Sequence, residues 1–244
     1  MLFRDYPEFI LFEEGLSKLE IKISNLQKQQ FIDYYELLIE RNKVMNLTAI
    51  TEFEEVVKKH FIDSLSIVKV MNFEKEKILD LGTGAGFPGI PLKIIFPDID
   101  IILLDSLKKR LIFLDEVIEK LDLKGVKTLH GRAEDYGKDT KYREQFDLCV
   151  SRAVARLAAL SEYCLPFVKK GGHFISYKSG MIEDEIKASD RAFKILGAKV
   201  EQVEAFHLPG TDIERTLVVL SKYMTTPKNY PRSAGKPTKE PLSN

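Results

Sequence analysis

The sequence has few cysteine and histidine residues. Its 244 residues include two cysteines, Cys149 and Cys164, which lack the Cys-x-x-Cys spacing of redox motifs and zinc sites. The four histidines are scattered along the chain without the intervals that metal ligands have. We therefore predict neither a disulfide nor a metal site.

The chain also lacks net charge and long apolar runs. Lys plus Arg and Asp plus Glu both number 37, so overall charge cannot attract nucleic acid at long range. No apolar run approaches the roughly 18 residues that span a membrane, and residues 1–8 carry acids and a proline, unlike a signal peptide. These absences predict a cytoplasmic protein with no membrane segment. Nothing in the sequence demands a dimer, so we expect a monomer.

The first 70 residues have the pattern of helices. An aromatic and apolar stripe that includes Phe31 and Leu38 has the spacing of one helix face. Residues 24–27 and 51–54 both match the capping box that begins a helix. We predict a helical N-terminal extension over residues 1–70, packed on the core.

From Lys77 the pattern changes to short apolar runs separated by segments that suit helices. Strands that alternate with helices imply a mostly parallel sheet covered on both faces. The last two runs, joined by a turn at Pro209 and Gly210, predict an antiparallel strand that ends a seven-stranded sheet. We assign residues 71–223 to this α/β domain. The predicted strands cover residues 78–80, 101–104, 126–129, 146–150, 173–177, 200–206 and 216–220.

A glycine loop follows the first of these strands, with the pattern Asp80-x-Gly82-x-Gly84-x-Gly86. Glycines permit positive φ and let the backbone touch a ligand. The dinucleotide fingerprint Gly-x-Gly-x-x-Gly is not met, because Phe87 takes the third glycine position, and this disfavours NAD. The loop instead resembles the S-adenosyl-L-methionine (AdoMet) motif of class I methyltransferases, which have a Rossmann-like fold. A glycine-rich turn with no ligand is the alternative.

Two further segments agree with a nucleoside site. Asp105 ends the second predicted strand, where a carboxylate can accept hydrogen bonds from both ribose hydroxyls. Ala133 and Glu134 follow the third predicted strand, where this fold places residues around adenine. We include Ser106 and Leu107, which follow Asp105, in the predicted donor site.

Six blocks of the sequence match, in order, the blocks of one enzyme family. They are Asn46-Leu-Thr-Ala-Ile50, His60-Phe-Ile-Asp-Ser-Leu65, the segment from Leu81 to Pro91, Ser151-Arg-Ala153, Tyr177-Lys178, and the tail from Tyr230 to Leu242. On these blocks the chain resembles ribosomal RNA small subunit methyltransferase G, also called glucose-inhibited division protein B. It departs from the usual pattern at Thr83, where the family has serine, and at Ser179, where glycine is commoner.

The resemblance implies a reaction and a donor site. The reaction is transfer of a methyl group from AdoMet to N7 of a guanine in 16S ribosomal RNA. The family's donor contacts fall on matching positions of this sequence, which are Gly82, Phe87, Asp105, Ala133, Glu134 and Arg152.

The segment after the fourth predicted strand suits an acceptor that needs no general base. Enzymes that methylate exocyclic amines often carry an Asn/Asp-Pro-Pro-aromatic motif here, whereas this chain has Ser151-Arg-Ala-Val-Ala-Arg156. Guanine N7 exposes a lone pair that can attack the methyl group directly. Arg152 is our candidate catalytic residue at the reacting centre, with a capping or salt-bridging arginine as the alternative. For His60, near Asp63, a catalytic and a structural role both stay open, and Cys149 is predicted to be core.

The C-terminal tail, residues 224–244, is basic. Five basic residues from Lys222 onward stand against one acid, Glu240, and such a segment can contact phosphates. We predict RNA contacts at Lys178, Arg232 and Lys236, with a solvated tail as the alternative.

The leading prediction is an RNA guanine-N7 methyltransferase whose partner is small-subunit ribosomal RNA, alone or in a ribosomal particle. Two other functions stay open. One is a methyltransferase that acts on a small molecule or a protein. The other is an assembly factor that binds AdoMet or RNA without catalysis, which the intact glycine loop, Asp105 and Arg152 argue against.

Overall fold

A computed structural model describes residue 6 and residues 9–152, 155–180 and 182–243. Ala153, the last residue of one matched block, lies outside the described residues, as do most of residues 1–8 and the final residue of the predicted tail. The described chain is an α/β structure with a sheet at its centre and helices on both faces.

The sheet has seven strands in the order β3-β2-β1-β4-β5-β7-β6. In sequence these are β1 Lys77–Leu81, β2 Asp100–Asp105, β3 Val126–His130, β4 Phe146–Arg152, β5 Val168–Lys178, β6 Ala198–His207 and β7 Glu214–Lys222. Strands β1 to β5 pair in parallel, and β7 runs antiparallel to both of its neighbours. The predicted seven-stranded, mostly parallel sheet with one antiparallel strand is confirmed.

The sequence analysis predicts the antiparallel strand at the end of the sheet, but β7 lies between β5 and β6. The chain crosses to the edge first and forms β6, and it then returns through the turn at 208–213 as β7, between β5 and β6. The hairpin pattern in the sequence predicts the pairing of these two strands but not which of them joins β5.

The helices lie before and between the strands. They are α1 Phe9–Lys18, α2 Asn25–Met45, α3 Phe53–Val56, α4 Asp63–Leu65, α5 Gly89–Ile95, α6 Lys108–Lys120, α7 Ala133–Tyr136, α8 Leu157–Cys164, α9 Glu183–Leu196 and α10 Lys236–Lys239. A π-helical turn, Val57–Ile62, joins α3 to α4. Among the described residues, every helix is too short or too polar to span a membrane.

The two predicted capping boxes have different outcomes. At α2 the prediction is confirmed, because the Gln27 backbone N–H donates to Ser24 Oγ and the Ser24 N–H donates to Gln27 Oε1, at 3.3 and 2.9 Å. At residues 51–54 it is wrong, because Glu52 is the N-cap of α3 and makes no side-chain cap bond. Thr51 lies one residue too early, and its carbonyl accepts a hydrogen bond from Tyr35 Oη.

The N-terminal helices share one hydrophobic core with the sheet. Phe12, Phe31 and Phe61 are fully buried against each other, and the same cluster includes Ile90 of α5 and Leu148 of β4. The aromatic stripe of α2 thus packs inward, as expected of a helix that buries one face. The division of the chain into residues 1–70, 71–223 and 224–244 stays a prediction from the sequence.

Candidate donor site at the carboxyl edge of the sheet

A cavity of about 660 Å³ lies at the carboxyl ends of β1, β2, β3 and β4. Open α/β sheets bind ligands at this edge, outside the ends of the strands. Asp80, Gly86 and Leu107 lie off its wall. The predicted site residues that line it are Gly82, Gly84, Phe87, Asp105, Ser106, Ala133, Glu134 and Arg152.

The glycine loop forms one wall of this cavity with its backbone. Gly82 and Gly84 have φ of 72° and 63°, a region that residues with a Cβ rarely adopt. A Cβ built on Gly84 would meet nothing nearer than the Gly82 carbonyl oxygen at 4.0 Å, so this glycine faces open space. A side chain here would fill the cavity.

Asp80 holds the loop from beneath. Its Oδ2 accepts hydrogen bonds from Thr83 Oγ1 at 2.7 Å and from the Gly89 N–H at 2.8 Å, which tie the two ends of the loop together. The carboxyl is fully buried, and burial raises its pKa to about 6. Asp80 therefore stabilises the conformation of the loop. It does not line the cavity, so its predicted contact with the donor is not supported.

Gly86 serves packing. An added Cβ would come within 2.8 Å of Tyr34 Oη and Leu114 and within 2.7 Å of Ile90. Tyr34, on α2, donates its hydroxyl hydrogen to the Ala85 carbonyl oxygen. The third glycine of the motif thus lets the N-terminal helix approach the loop, which its spacing alone does not reveal.

Asp105 is fixed with its carboxylate at the cavity. It is 3% exposed, and its Oδ1 accepts from the Leu107 N–H at 2.8 Å. Its Oδ2 accepts from the Gly84 N–H at 3.0 Å and from Arg110 Nη1 at 3.1 Å. Leu107 thus acts through its backbone while its side chain is exposed, and Arg110 is a cavity residue that the sequence analysis missed.

Arg152 lies at the other end of the cavity, at the end of β4. Its Nη1 donates to Asp63 Oδ2 at 2.9 Å and to the Lys59 carbonyl oxygen at 3.0 Å. The guanidinium lies over the Phe87 ring, 5.1 Å from its centroid. Asp63 is itself buried and accepts at Oδ1 from Arg215 Nε at 2.9 Å. The structure thus supplies the carboxylate partner of Arg152 and holds its side chain in one orientation.

His60 joins this group as a neutral side chain. Its ring stacks on Phe87 at 4.4 Å between centroids, and its Nε2 lies 2.9 Å from Thr48 Oγ1. Burial, with a contribution from the charge of Arg152, lowers the pKa of His60 to about 3. An imidazole with so low a pKa is a poor proton acceptor at neutral pH, so we assign it no role as a general base.

The three predicted RNA contacts are not among the residues that line the cavity, and each has a carboxylate of its own chain nearby. Lys178 Nζ lies 2.7 Å from Glu185 Oε1, and Lys236 Nζ lies 3.7 Å from Glu240 Oε2. Arg232 Nη2 lies 2.7 Å from Glu162 Oε2. These pairs do not test RNA contact, which stays a prediction. The cavity residues that the sequence analysis did not name as site residues include Thr48, Arg110, Arg132, Tyr163, Gly235 and Thr238.

The two cysteines lie in the core. Cys149 is in β4 and Cys164 ends α8, and both are buried with free thiols. Burial raises the pKa of Cys164 well above its ordinary value, which keeps this thiol protonated and unreactive.

Comparison with known proteins gives a family and a fold. The family model described as rRNA small subunit methyltransferase G (GidB) matches residues 27–218. The chain is 53% identical over 240 residues to Ribosomal RNA small subunit methyltransferase G of Lachnoclostridium phytofermentans, which covers 98% of each chain. It is 50% identical over 233 residues to the protein of the same name from Acetivibrio thermocellus, which covers 96% of each chain.

Solved structures with low sequence identity share the fold. The M. jannaschii TYW2 structure in complex with AdoMet aligns with a TM-score of 0.54 at 14% identity, covering 71% of this chain and 79% of that one. The structure of NSun6 from Pyrococcus horikoshii with SFG aligns with a TM-score of 0.54 at 15% identity, covering 73% of this chain and 57% of that one. The class I methyltransferase fold is thereby confirmed.

Proposed function

Because the chain belongs to the rRNA small subunit methyltransferase G family, we propose that it transfers a methyl group from AdoMet to N7 of one guanosine in 16S ribosomal RNA. The observation that carries this proposal is that eight of the predicted site residues, including Gly84, Asp105 and Arg152, line one cavity. The glycine loop and Arg152 can thus both contact one bound molecule.

The residues present fit AdoMet. The cavity, at about 660 Å³, has the size of a small-molecule site. Gly84 leaves the space that a ligand would fill, and Asp105 presents a carboxylate that is already oriented by backbone N–H groups. When bound, AdoMet supplies a methyl group on a positively charged sulfur.

Asp105 and the glycine loop would hold the donor. The Asp105 carboxylate would accept hydrogen bonds from ribose hydroxyls, as acids at this position do in nucleoside-binding sheets. Gly82 and Gly84 would let the backbone lie against the rest of the donor. Ala133 and Glu134, at the start of α7, would border its adenine end.

Arg152 would orient the acceptor. A guanine that presents N7 also presents O6 beside it, and an arginine is well suited to donate to O6 while the N7 lone pair stays free to attack the methyl group. Asp63 and Phe87 fix the Arg152 guanidinium before any substrate binds, so the group need not be ordered during the reaction. The attack by N7 needs no base, which agrees with the neutral His60 at this end. Alignment of the two reactants can then supply about 7 to 11 kcal/mol of the barrier reduction.

Further parts of the proposal concern the setting of the reaction. The proposed substrate is in the cytoplasm, and we propose that the protein works there as a monomer. We keep Lys178, Arg232 and Lys236 as proposed RNA contacts, although their ion pairs would have to coexist with the RNA or open for it.

The test is transfer of a labelled methyl group from AdoMet to deproteinised ribosomal RNA and to small subunits that lack the modification, followed by nucleoside mass spectrometry. We expect N7-methylguanosine at a single position. A chain that binds AdoMet but labels neither RNA would overturn the proposal, in favour of a small-molecule or protein acceptor or of an assembly factor.

A further inference from the structure

The C-terminal tail folds back onto the molecule and does not project as a free basic segment. Arg143 binds it near its start, since Nη1 donates to the Tyr230 carbonyl oxygen at 2.8 Å and Nη2 to that of Thr226 at 2.6 Å. Glu144 Oε1 accepts from the Thr226 N–H and from Lys222 Nζ, both at 2.8 Å. The first part of the tail is therefore attached to the segment before β4.

A second anchor lies further along the tail, on α8. Arg232 Nε and Nη2 donate to the Glu162 carboxylate at 2.9 and 2.7 Å, and the Arg232 backbone N–H donates to Glu162 Oε1 at 2.8 Å. Glu162 is fully buried, and Arg232 is the cation that pairs with it. The basic residue predicted to hold RNA is in this structure the residue that fixes the tail.

Beyond this anchor the tail reaches the donor cavity. The Gly235 N–H donates to Glu134 Oε1 at 2.9 Å, and Thr238 Oγ1 lies 2.8 Å from Tyr163 Oη. Gly235, Thr238 and Tyr163 all line the cavity together with Glu134. The tail thus contacts the acid that is expected at the adenine end of the donor.

We propose that the tail, residues 224–243, is a wall of the donor site, and that Gly235 and Thr238 are positioning residues for the adenosine part of AdoMet. The inference rests on the proposed function in that it takes AdoMet as the ligand. The Gly235 N–H holds Glu134 in place, and the Thr238 hydroxyl closes the adenine end.

The tail residues that line the cavity are Gly235 and Thr238, which carry no charge. Arg232 is paired with Glu162 and Lys236 lies near Glu240, whereas Lys228 and Lys239 are exposed and do not line the cavity. The polar groups of these two residues are backbone amides and a hydroxyl, which are neutral. Neutral groups can hydrogen-bond a purine edge, whereas RNA binding that depends on charge needs cations.

The test is Gly235→Pro, with Gly210→Pro as the matched control. Gly235 and Gly210 have φ of 77° and 75°, which proline cannot adopt, but Gly210 lies in the turn between β6 and β7 and does not line the cavity. Only the substitution at 235 removes the N–H that holds Glu134. We expect calorimetry to show that Gly235→Pro weakens AdoMet binding about ten-fold or more, and that Gly210→Pro binds AdoMet within about two-fold of wild type. In methyl-transfer assays the KM for RNA should be unchanged in Gly235→Pro.

A second measurement needs no variant and no methyl transfer. Trypsin can cleave after Lys239 in the exposed part of the tail, and AdoMet should slow this cleavage if the tail is part of its site. Unchanged cleavage with saturating AdoMet, or equal AdoMet affinity in Gly235→Pro and wild type, would remove the tail from the site. A raised KM for RNA with unchanged AdoMet affinity would make the tail an RNA element. A wild-type chain that binds AdoMet and methylates no RNA would overturn the proposed function and leave this comparison intact.

Discussion

The two ends of the chain close the same cavity by different means. One side is formed by Leu47 and Thr48, which follow α2, and by His60 of the π-helical turn. On the other stand Gly235 and Thr238, carried by the C-terminal tail. The N-terminal side is held by buried aromatic rings that belong to the main core. The tail is held by ion pairs and by hydrogen bonds to carbonyl oxygens, and Tyr230 and Leu242 also pack against a second core cluster.

The two walls should therefore respond differently to substitutions. Packing in an apolar core involves many weak contacts per side chain, so a change there lowers the stability of the whole domain. A polar anchor acts at one point and in one geometry, so its loss releases a local segment. We therefore expect damage to the first wall to unfold the protein and damage to the second to affect the cavity.

The largest expected effect is on the N-terminal wall. Phe61→Ala removes a fully buried ring that contacts Phe31 and Phe87, and should lower the free energy of unfolding by about 3–5 kcal/mol. Urea unfolding measures this. The control is Ile10→Ala on α1, which is 58% exposed and should cost less than about 0.5 kcal/mol. Similar losses in the two variants would show that this wall is not part of the core.

Next comes Arg152, which the N-terminal wall holds in place through Asp63 and Lys59. Arg152→Ala should reduce kcat about 100-fold or more, because an oriented donor at the reacting centre is lost. Its unfolding midpoint should change much less, since Asp63 keeps Arg215 as a partner. Full turnover in this variant, measured by methyl transfer to RNA, would exclude Arg152 from the mechanism.

A smaller effect on stability is expected at the tail. Arg232→Ala leaves the buried Glu162 without its cation and should cost about 1.5–3 kcal/mol. Trypsin cleavage of the tail should also become faster in this variant. Thr225→Ala, at an exposed tail position that trypsin does not recognise, is the control and should change neither quantity. If Arg232→Ala is as stable as Thr225→Ala and its tail is equally resistant to trypsin, the ion pair does not fix the tail.

The smallest expected effect is the contribution of His60 to the pH dependence of the free energy of unfolding. The folded pKa of about 3 lies below the unfolded value of 6.5, so acid protonates the unfolded state first and stability falls as pH drops from 6.5 toward 3. Asp80, whose pKa is raised to about 6, acts in the opposite direction over part of this window. The quantity to measure is therefore the difference between wild type and His60→Gln. Between pH 7 and 5.5 wild type should lose about 1 kcal/mol more, and equal losses would contradict the low pKa.

The two walls also differ in how far the sequence predicts them. The N-terminal helices follow from periodicity and from the Ser24 capping box, because these signals lie within a few residues of each other. The tail was recognised only as basic. Its anchor joins Arg232 to Glu162, 70 residues away, and no local pattern specifies such a pair.

The same reason separates the cavity residues that the sequence indicates from those that it does not. The glycine loop and Asp105 were predicted because strand ends and turn residues are marked locally. The bond from Asp63 to Arg152 and the packing of Tyr34 against Gly86 depend on how distant segments meet. Two predictions are wrong for the same reason: the capping box at residues 51–54 and the position of the antiparallel strand. In both cases the local pattern is present, but contacts between distant segments determine a different structure.

The position of Gly235 and Thr238 at the cavity has a consequence for biosynthesis. A chain is made from its N-terminus, and N-terminal parts fold while the remainder is still being synthesised. The sheet, the glycine loop and Asp105 precede the tail in the sequence, so they can form before it emerges from the ribosome. The adenine end of the cavity is completed only by Gly235 and Thr238, which are synthesised after all seven strands. The glycine loop and Asp105 thus precede this wall of the donor site in the order of synthesis.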